Sequence, residues 1–254
     1  MRVIAVIPAR YQSSRFPGKP LTPILGKPMI QHVYERSSEA RLVDEVWVAT
    51  DDQRIFEAVS SLGAKVMLTS PNHESGTERV AEVARSIPAD VVINVQGDEP
   101  LIRPEAIDLL AGAMADAMAE SREIPMATLK RRISRKQDID NPNCVKVVTS
   151  KEGFALYFSR SPIPFDRDGL DNHHLVYQHI GIYAYRTDFL LQIPSLPPSS
   201  LEQAERLEQL RILENGYRIK VVETDYESCG VDTPEDVPRI ESILKKAANS
   251  IFTI

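Results

Sequence analysis

The chain has 254 residues, 43% of them apolar and 26% charged, the balance of a folded protein long enough to bury a core without covalent staples. Its 30 Lys and Arg against 36 Asp and Glu leave a net charge of -6, which argues against nonspecific nucleic-acid binding and confines any phosphate recognition to local basic clusters. The apolar run after Arg2 stops at Pro8, no apolar stretch approaches a membrane span, and Cys144 and Cys229 stand isolated, so a cytoplasmic chain without signal peptide or disulfide is expected.

Four apolar runs in the first half read as strands: Val3–Ile7, Val46–Ala49, Lys65–Leu68 and Val91–Val95. Runs apolar on both faces suit a parallel sheet covered by helices. Helical spacing falls between them, in Ile30, Val33 and Tyr34, in Ile55, Phe56, Val59 and Leu62, and in Val80, Ala81, Ala84 and Ile87. Ser75 with Glu78 three residues on reads as a capping box that opens the third helix. A fourth helix carries Ile107, Leu110 and Ala111, with Pro104 in its first turn.

From about residue 125 to 185 the rhythm changes. Cys144–Val148, Ala155–Phe158 and Ile180–Tyr185 are strand-like without intervening helices, which predicts a mixed or antiparallel extension. One helix is then expected through Leu201, Ala204, Leu207, Leu210 and Leu213, followed by a strand at Ile219–Val222. A last helix has Thr233 as N-cap and Pro234 at its first position. No Gly/Ser linker divides the chain, so residues 1–254 are expected to form one α/β domain.

Ligands of an open parallel sheet collect beyond the carboxyl ends of its strands. There the first strand runs into Pro8-Ala9-Arg10-Tyr11-Gln12-Ser13-Ser14-Arg15-Phe16-Pro17-Gly18-Lys19-Pro20. Arg forks, a Lys point charge, hydroxyls and backbone amides in one loop suit a triphosphate, although a solvated basic loop has the same composition. The loop is neither a Walker loop nor a GxGxxG turn. The fourth strand leads into Gln96-Gly97-Asp98-Glu99-Pro100, which puts a hard-cation ligand at a strand end. Gly230-Val231-Asp232-Thr233-Pro234 offers a second carboxylate, and by spacing Asp232 serves equally well as a helix cap. Asp52 reads as a cap. Among the histidines, His173 and His174 read as surface-loop residues, while His179 alternates with Gly181 and Tyr183 on one strand face, where a packed histidine is the ordinary reading. By spacing alone, Glu208 and Gln209 read as the solvent face of a helix.

Beyond the first loop lie Gly26-Lys27-Pro28-Met29-Ile30, Ser75-Gly76-Thr77-Glu78-Arg79, Asn94-Val95-Gln96-Gly97-Asp98-Glu99-Pro100 and Asn141-Pro142-Asn143. Further on come Val145-Lys146-Val147-Val148, Tyr157-Phe158-Ser159-Arg160, His179-x-Gly181-Ile182-Tyr183, Leu207-Glu208-Gln209-Leu210-Arg211 and Gly230-Val231-Asp232-Thr233-Pro234-Glu235-Asp236. In this order, over nearly the whole chain, the blocks resemble the 3-deoxy-manno-octulosonate cytidylyltransferases, the CMP-Kdo synthetase family of Gram-negative bacteria. The resemblance implies a Rossmann-like, mostly parallel α/β sheet with helices on both faces. It also implies a strand-rich region at about residues 125–190 that serves dimerisation and sugar binding. The implied activity is transfer of CMP from CTP to Kdo, an acidic eight-carbon sugar, with diphosphate released and Mg²⁺ as cofactor, in a homodimer; charge and hydropathy add the expectation of no nucleic-acid partner and no membrane span.

Carried over position by position, the resemblance implies that Arg10, Ser13, Arg15 and Lys19 hold the CTP phosphates, with Ala9, Ser75 and Arg79 near the nucleotide. Asp98 and Asp232 would bind magnesium and, with Arg15 and Lys19, form the catalytic set. Gln96, Arg160, His179, Tyr183, Glu208 and Gln209 would line the sugar-acid pocket. Two features depart from the pattern: Phe165 stands where a tryptophan often follows, and Leu129–Ile133 is unusually basic. Cytidylyltransferases acting on amino-Kdo or sialic acid are the enzymatic alternatives. A noncatalytic nucleotide-binding dimer is the alternative of a different class.

Overall fold

The computed structural model describes residues 1–13, 15–120, 123–167 and 175–251, with side chains as far as residue 247. The surface-loop reading of His173 and His174 lies outside the described residues. The first apolar run forms β1 (Val3–Ala9), whose side chains alternate between two cores: Val3, Ala5, Ile7 and Ala9 join one, Ile4 and Val6 the other. Residues 3–7 are each 2% exposed or less, and burying a side chain of this size contributes about 2 kcal/mol. A strand so placed must be covered on both faces.

The chain next makes a two-stranded ribbon, β2 (Pro23–Ile24) and β3 (Lys27–Pro28), too short for periodicity to reveal. Its two turn residues, Leu25 and Gly26, both have positive φ, as the tightest hairpins require. Then α1 (Met29–Ser38), β4 (Glu45–Thr50), α2 (Gln53–Ser61), β5 (Lys65–Leu68), α3 (Gly76–Ser86), β6 (Val91–Asn94) and α4 (Pro104–Ala119) alternate as the apolar pattern predicts. Asp52 caps α2, its carboxylate accepting from the Arg54 amide at 3.0 Å. Ser75 caps α3 through the Glu78 amide, but the returning Glu78 carboxylate takes the Glu74 amide, one residue further back than the expected box.

In the second half, β7 (Met126–Arg132) carries the basic stretch as far as Arg132. There Lys130 donates to Thr149 Oγ1 at 2.8 Å and Arg131 pairs with Glu227 at 3.2 Å. A single helical turn, α5 (Lys136–Ile139), breaks what was expected to be helix-free, before β8 (Lys146–Thr149), β9 (Ala155–Ser159) and β10 (Tyr177–Arg186). After α6 (Thr187–Gln192), the one helix expected around Leu201–Leu213 is instead two, α7 (Ser200–Glu205) and α8 (Gln209–Glu214), with Arg206 left-handed between them at φ 54°. The break has a tertiary cause: Arg160 donates to the Glu205 and Arg206 carbonyls, while the Glu205 carboxylate accepts from Ser159 Oγ and the Arg160 amide. The chain closes with β11 (Ile219–Glu223) and α9 (Val237–Ile251), preceded by a tight turn at Pro234–Asp236.

The sheet order is β11-β7-β10-β6-β1-β4-β5, and the pairings make six of these seven strands point the same way, with β10 alone reversed. The strands β8 and β9 extend it from one end of β10. Helices α1, α2 and α4 pack on one face and α3, α6 and α8 on the other, as a Rossmann-like sheet requires. Among the described residues no helix is long and apolar enough to cross a membrane. Both cysteines are free thiols.

Candidate active site

The carboxyl ends of β1 and β6, the start of α3 and the middle of β10 converge. The basic loop leaves β1 beside Ala9, which pairs with Thr50. It closes through the Gly18 amide, which donates to the Tyr11 carbonyl at 2.8 Å. Gly18 sits at φ 74°, and a Cβ there would meet the Tyr11 ring at 3.1 Å, so glycine is required on both counts. Ser13 Oγ accepts from the Phe16 amide at 3.3 Å. Lys19 Nζ donates to Asp98 Oδ2 at 2.7 Å and to the Val231 carbonyl at 2.8 Å. Arg15 donates to Asp232 Oδ1 at 2.8 Å in a largely exposed pair, worth little as a stability term.

The same geometry removes one of the two readings of Asp232, that of a helix cap. Thr233 is the N-cap of the Pro234–Asp236 turn, as expected, boxed with Asp236, whose carboxylate takes the Asp232 and Thr233 amides, and the Asp232 side chain faces Arg15. Asp98 and Asp232 are also joined through the backbone, where the Val231 amide donates to the Asp98 carbonyl at 2.9 Å. Among the described residues no group of three or more His, Cys, Asp or Glu is arranged to hold a metal. Two carboxylates beside a phosphate-suited loop fit magnesium nonetheless, because that ion takes one or two protein oxygens and completes its shell with substrate phosphates and water.

Arg10 and Arg79 are committed to the wall of the site. Arg10 donates to the carbonyls of His73 and Ser75, the latter at 3.0 Å, and so fastens the segment leading into α3. Arg79 is fully buried; it pairs with Asp51 at 2.8 Å and donates to Thr69 Oγ1. Ser75 is the α3 cap described above.

A cavity of about 390 Å³ opens beside Asp98. Of the residues expected around the sugar, Gln96, Tyr183, Glu208 and Gln209 line it, and Arg160 and His179 do not. The break between α7 and α8 is what turns Glu208 inward, where its carboxylate accepts from Thr77 Oγ1 at 2.9 Å. Glu208 is open to the cavity, yet protein surrounds it closely enough to push its carboxyl above the usual range. Tyr183 Oη donates to Gln209 Oε1 at 3.3 Å, and burial raises its phenol well above the ordinary value.

Behind Tyr183 lies His179, 8% exposed, its ring 4.9 Å edge-on from Phe158 and 5.5 Å from Tyr183. At the bulge where β10 slips against β7, Thr128 Oγ1 lies 2.8 Å from the Ile182 carbonyl and 3.0 Å from His179 Nε2. A hydroxyl has one proton, and the carbonyl takes it, so Nε2 is the donor to Thr128. Burial drives the imidazole down to about 3, so it is neutral near neutral pH. Arg160 spends its guanidinium on the carbonyls of Pro142, Glu205 and Arg206, which makes it the clamp of the α7–α8 break.

Sequence reasoning missed Asn94, Thr77 and Arg206, all of which line the cavity. Among the described residues Asn94 Oδ1 and Gln209 Nε2 are buried polar atoms without a hydrogen-bond partner. Asn94 is 2% exposed at the end of β6, directly opposite Tyr183 on β10. A polar residue ending a buried apolar strand was the available signal.

Comparison with known proteins agrees with this arrangement. The family described as Cytidylyltransferase matches residues 4–220. The 3-deoxy-manno-octulosonate cytidylyltransferase of Geotalea uraniireducens (strain Rf4) is 54% identical over 255 residues, covering 97% of this chain and 100% of the relative. That of Geobacter sulfurreducens (strain ATCC 51573 / DSM 12127 / PCA) is 55% identical over 254 residues, covering 96% and 100%. The solved structure of CMP:2-keto-3-deoxy-manno-octonic acid synthetase complexed with CTP superposes with a TM-score of 0.91 at 46% identity, covering 97% of this chain and 100% of that one. A cytidylyltransferase from Leptospira borgpetersenii serovar Hardjo-bovis (strain JB197) shares the fold at 19% identity, with a TM-score of 0.61 and coverage of 97% and 87%. A family match across most of the chain, with relatives more than half identical over almost its full length, means that the chain belongs to the cytidylyltransferase family, on its 3-deoxy-manno-octulosonate branch.

Proposed function

We propose that the chain transfers CMP from CTP to 3-deoxy-D-manno-octulosonate (Kdo), releasing diphosphate and supplying CMP-Kdo for lipopolysaccharide biosynthesis. The observation that carries this reading is that Asp98 both pairs with Lys19 of the basic loop and walls the polar cavity, so a triphosphate site and a sugar-sized site share one residue. The anomeric 2-hydroxyl oxygen of Kdo bonds to the α-phosphorus as the bond to the diphosphate oxygen breaks, and the hydroxyl proton passes to solvent water. Arg15 and Lys19 take up the charge of the leaving diphosphate, with Ser13 beside them in the phosphate cradle and Arg10 holding the cradle's wall through the His73 and Ser75 carbonyls. Ala9, Ser75 and Arg79 shape the nucleotide's surroundings. Asp98 and Asp232 would hold magnesium, which when bound would neutralise the triphosphate and activate the hydroxyl.

Gln96, Tyr183, Glu208 and Gln209 orient the sugar acid. His179 supports Tyr183 from behind, and Arg160 holds the turn that carries Glu208. The chain acts as a cytoplasmic homodimer in which residues 125–190 contribute to the contact. In support, β9 pairs only with β8 among the described strands, and Leu156 and Phe165 are 63% and 86% exposed. Diphosphate release from CTP and Mg²⁺ with Kdo, amino-Kdo and sialic acid in parallel tests the reading. Kdo should give the highest kcat/KM; preference for either other sugar would reassign the substrate, and no release with any of them would leave a nucleotide-binding protein.

A further inference from the structure

The chemistry proposed above uses Asp98 and Asp232 but not the residue between Asp98 and Pro100. Glu99 has no part in lining the cavity. Its carboxylate accepts from Tyr226 Oη at 2.5 Å, from Ser228 Oγ and from the Cys229 amide. Tyr226 is 2% exposed and belongs to the larger core cluster, so it is a fixed post. A short way along the same segment the Val231 amide donates to the Asp98 carbonyl at 2.9 Å, and Lys19 Nζ bridges Asp98 Oδ2 and the Val231 carbonyl. Asp232 follows directly.

The peptide Asp98-Glu99 is thus bound at several points to the segment that presents Asp232. The Asp98 loop packs directly on the end of β1, where a Cβ on Gly97 would lie 2.6 Å from the Pro8 carbonyl oxygen. Residues 224–233 contain no helix or strand, so their path depends on such side-chain ties.

We propose that Glu99 is a positioning residue: its carboxylate is a strut between the β6 loop and residues 226–229 that sets the separation of the Asp98 and Asp232 carboxylates and preorganises them for a divalent cation shared with a triphosphate. The proposal rests on the reading of those two aspartates as the cation-holding pair. Rigid support of this kind is what converts two correctly chosen ligands into a site.

The test is Mn²⁺ binding to the full chain with CTP present and no sugar, followed by paramagnetic resonance so that no turnover is involved. Glu99→Ala should weaken Mn²⁺ at least tenfold. Glu99→Gln, which keeps an acceptor oxygen and lets the hydroxyls rotate, should recover most of that loss, and Tyr226→Phe should show a shift of about threefold. CTP binding without metal should change by less than twofold in all three. If Glu99→Ala does not fold, Tyr226→Phe carries the test alone. Mn²⁺ affinity within twofold of wild type in the folded variants, with Asp98→Asn clearly weakened, overturns the strut alone. An unchanged affinity in Asp98→Asn overturns the cation-pair reading and the strut with it. An equal loss of metal-free CTP binding would mark general disruption and also overturn the proposal.

Discussion

Lowering the pH from 7 to 5 should cost the folded chain about 2 kcal/mol through His179 alone, since burial holds its imidazole at about 3 against an ordinary value of 6.5. Because the folded value lies below the unfolded one, the unfolded chain takes up the proton first. The stability is therefore fully present above pH 6.5, declines as pH falls, and is spent near pH 3. At pH 5 the unfolded imidazole is almost all protonated and the folded one almost all neutral, and 1.5 pH intervals at about 1.4 kcal/mol each give the figure. The assay is urea unfolding of wild type and His179→Gln at both pH values. At pH 7 the variant should be less stable by about 2 kcal/mol, from lost ring packing against Phe158 and Tyr183. At pH 5 that gap should close by a similar amount, because the variant has nothing to titrate at this position. A gap that is equal at both pH values, within about 0.5 kcal/mol, would refute the argument.

Asp98→Ala and Asp232→Ala should each lower kcat roughly a hundredfold or more with the fold intact; full magnesium-dependent turnover in either variant removes that residue from the mechanism. Asn94→Val should lower kcat/KM for Kdo about tenfold while free-protein stability holds or rises, because the change deletes a buried acceptor that lacks a partner among the described residues. An unchanged kcat/KM would show that Asn94 does not meet the sugar. Arg160→Ala should cost about 2 kcal/mol of stability and raise KM for Kdo, since three carbonyls lose a charged donor and the turn bearing Glu208 loosens. Metal-free CTP affinity should not move, and a large loss there would put Arg160 in the nucleotide site instead.

Local pattern carries a large part of this protein. The four apolar runs that became β1, β4, β5 and β6, and the periodic segments that became α1 to α4, follow from hydrophobic spacing, because a strand buried on both faces and a helix buried on one leave distinct periods in any sequence. The Thr233-Pro234 start of the turn leading into α9 is equally local, although the α-helix itself begins three residues later than expected, at Val237. The loops rich in Arg, Lys and Asp could be picked out because ligands of such a sheet gather at its strand ends. Their assignment to CTP, magnesium and Kdo came from the resemblance of whole blocks to a family, not from spacing.

Contacts distant in sequence decided the remainder. The helical period of residues 201–213 is real, yet Arg160 and the Glu205 carboxylate outcompete continuous α-helix at Arg206 and so turn Glu208 into the cavity. Asp232 could cap or bind by spacing; Thr233 is the cap, boxed with Asp236, and Arg15 faces the aspartate. Asn94 looked like one more residue of a buried strand until β10 set Tyr183 opposite it and left its oxygen without a partner among the described residues. Hydrophobic period records which face of an element is buried, but a polar side chain's role depends on which donors and acceptors the folded chain brings within about 3 Å of it, and those come from other elements.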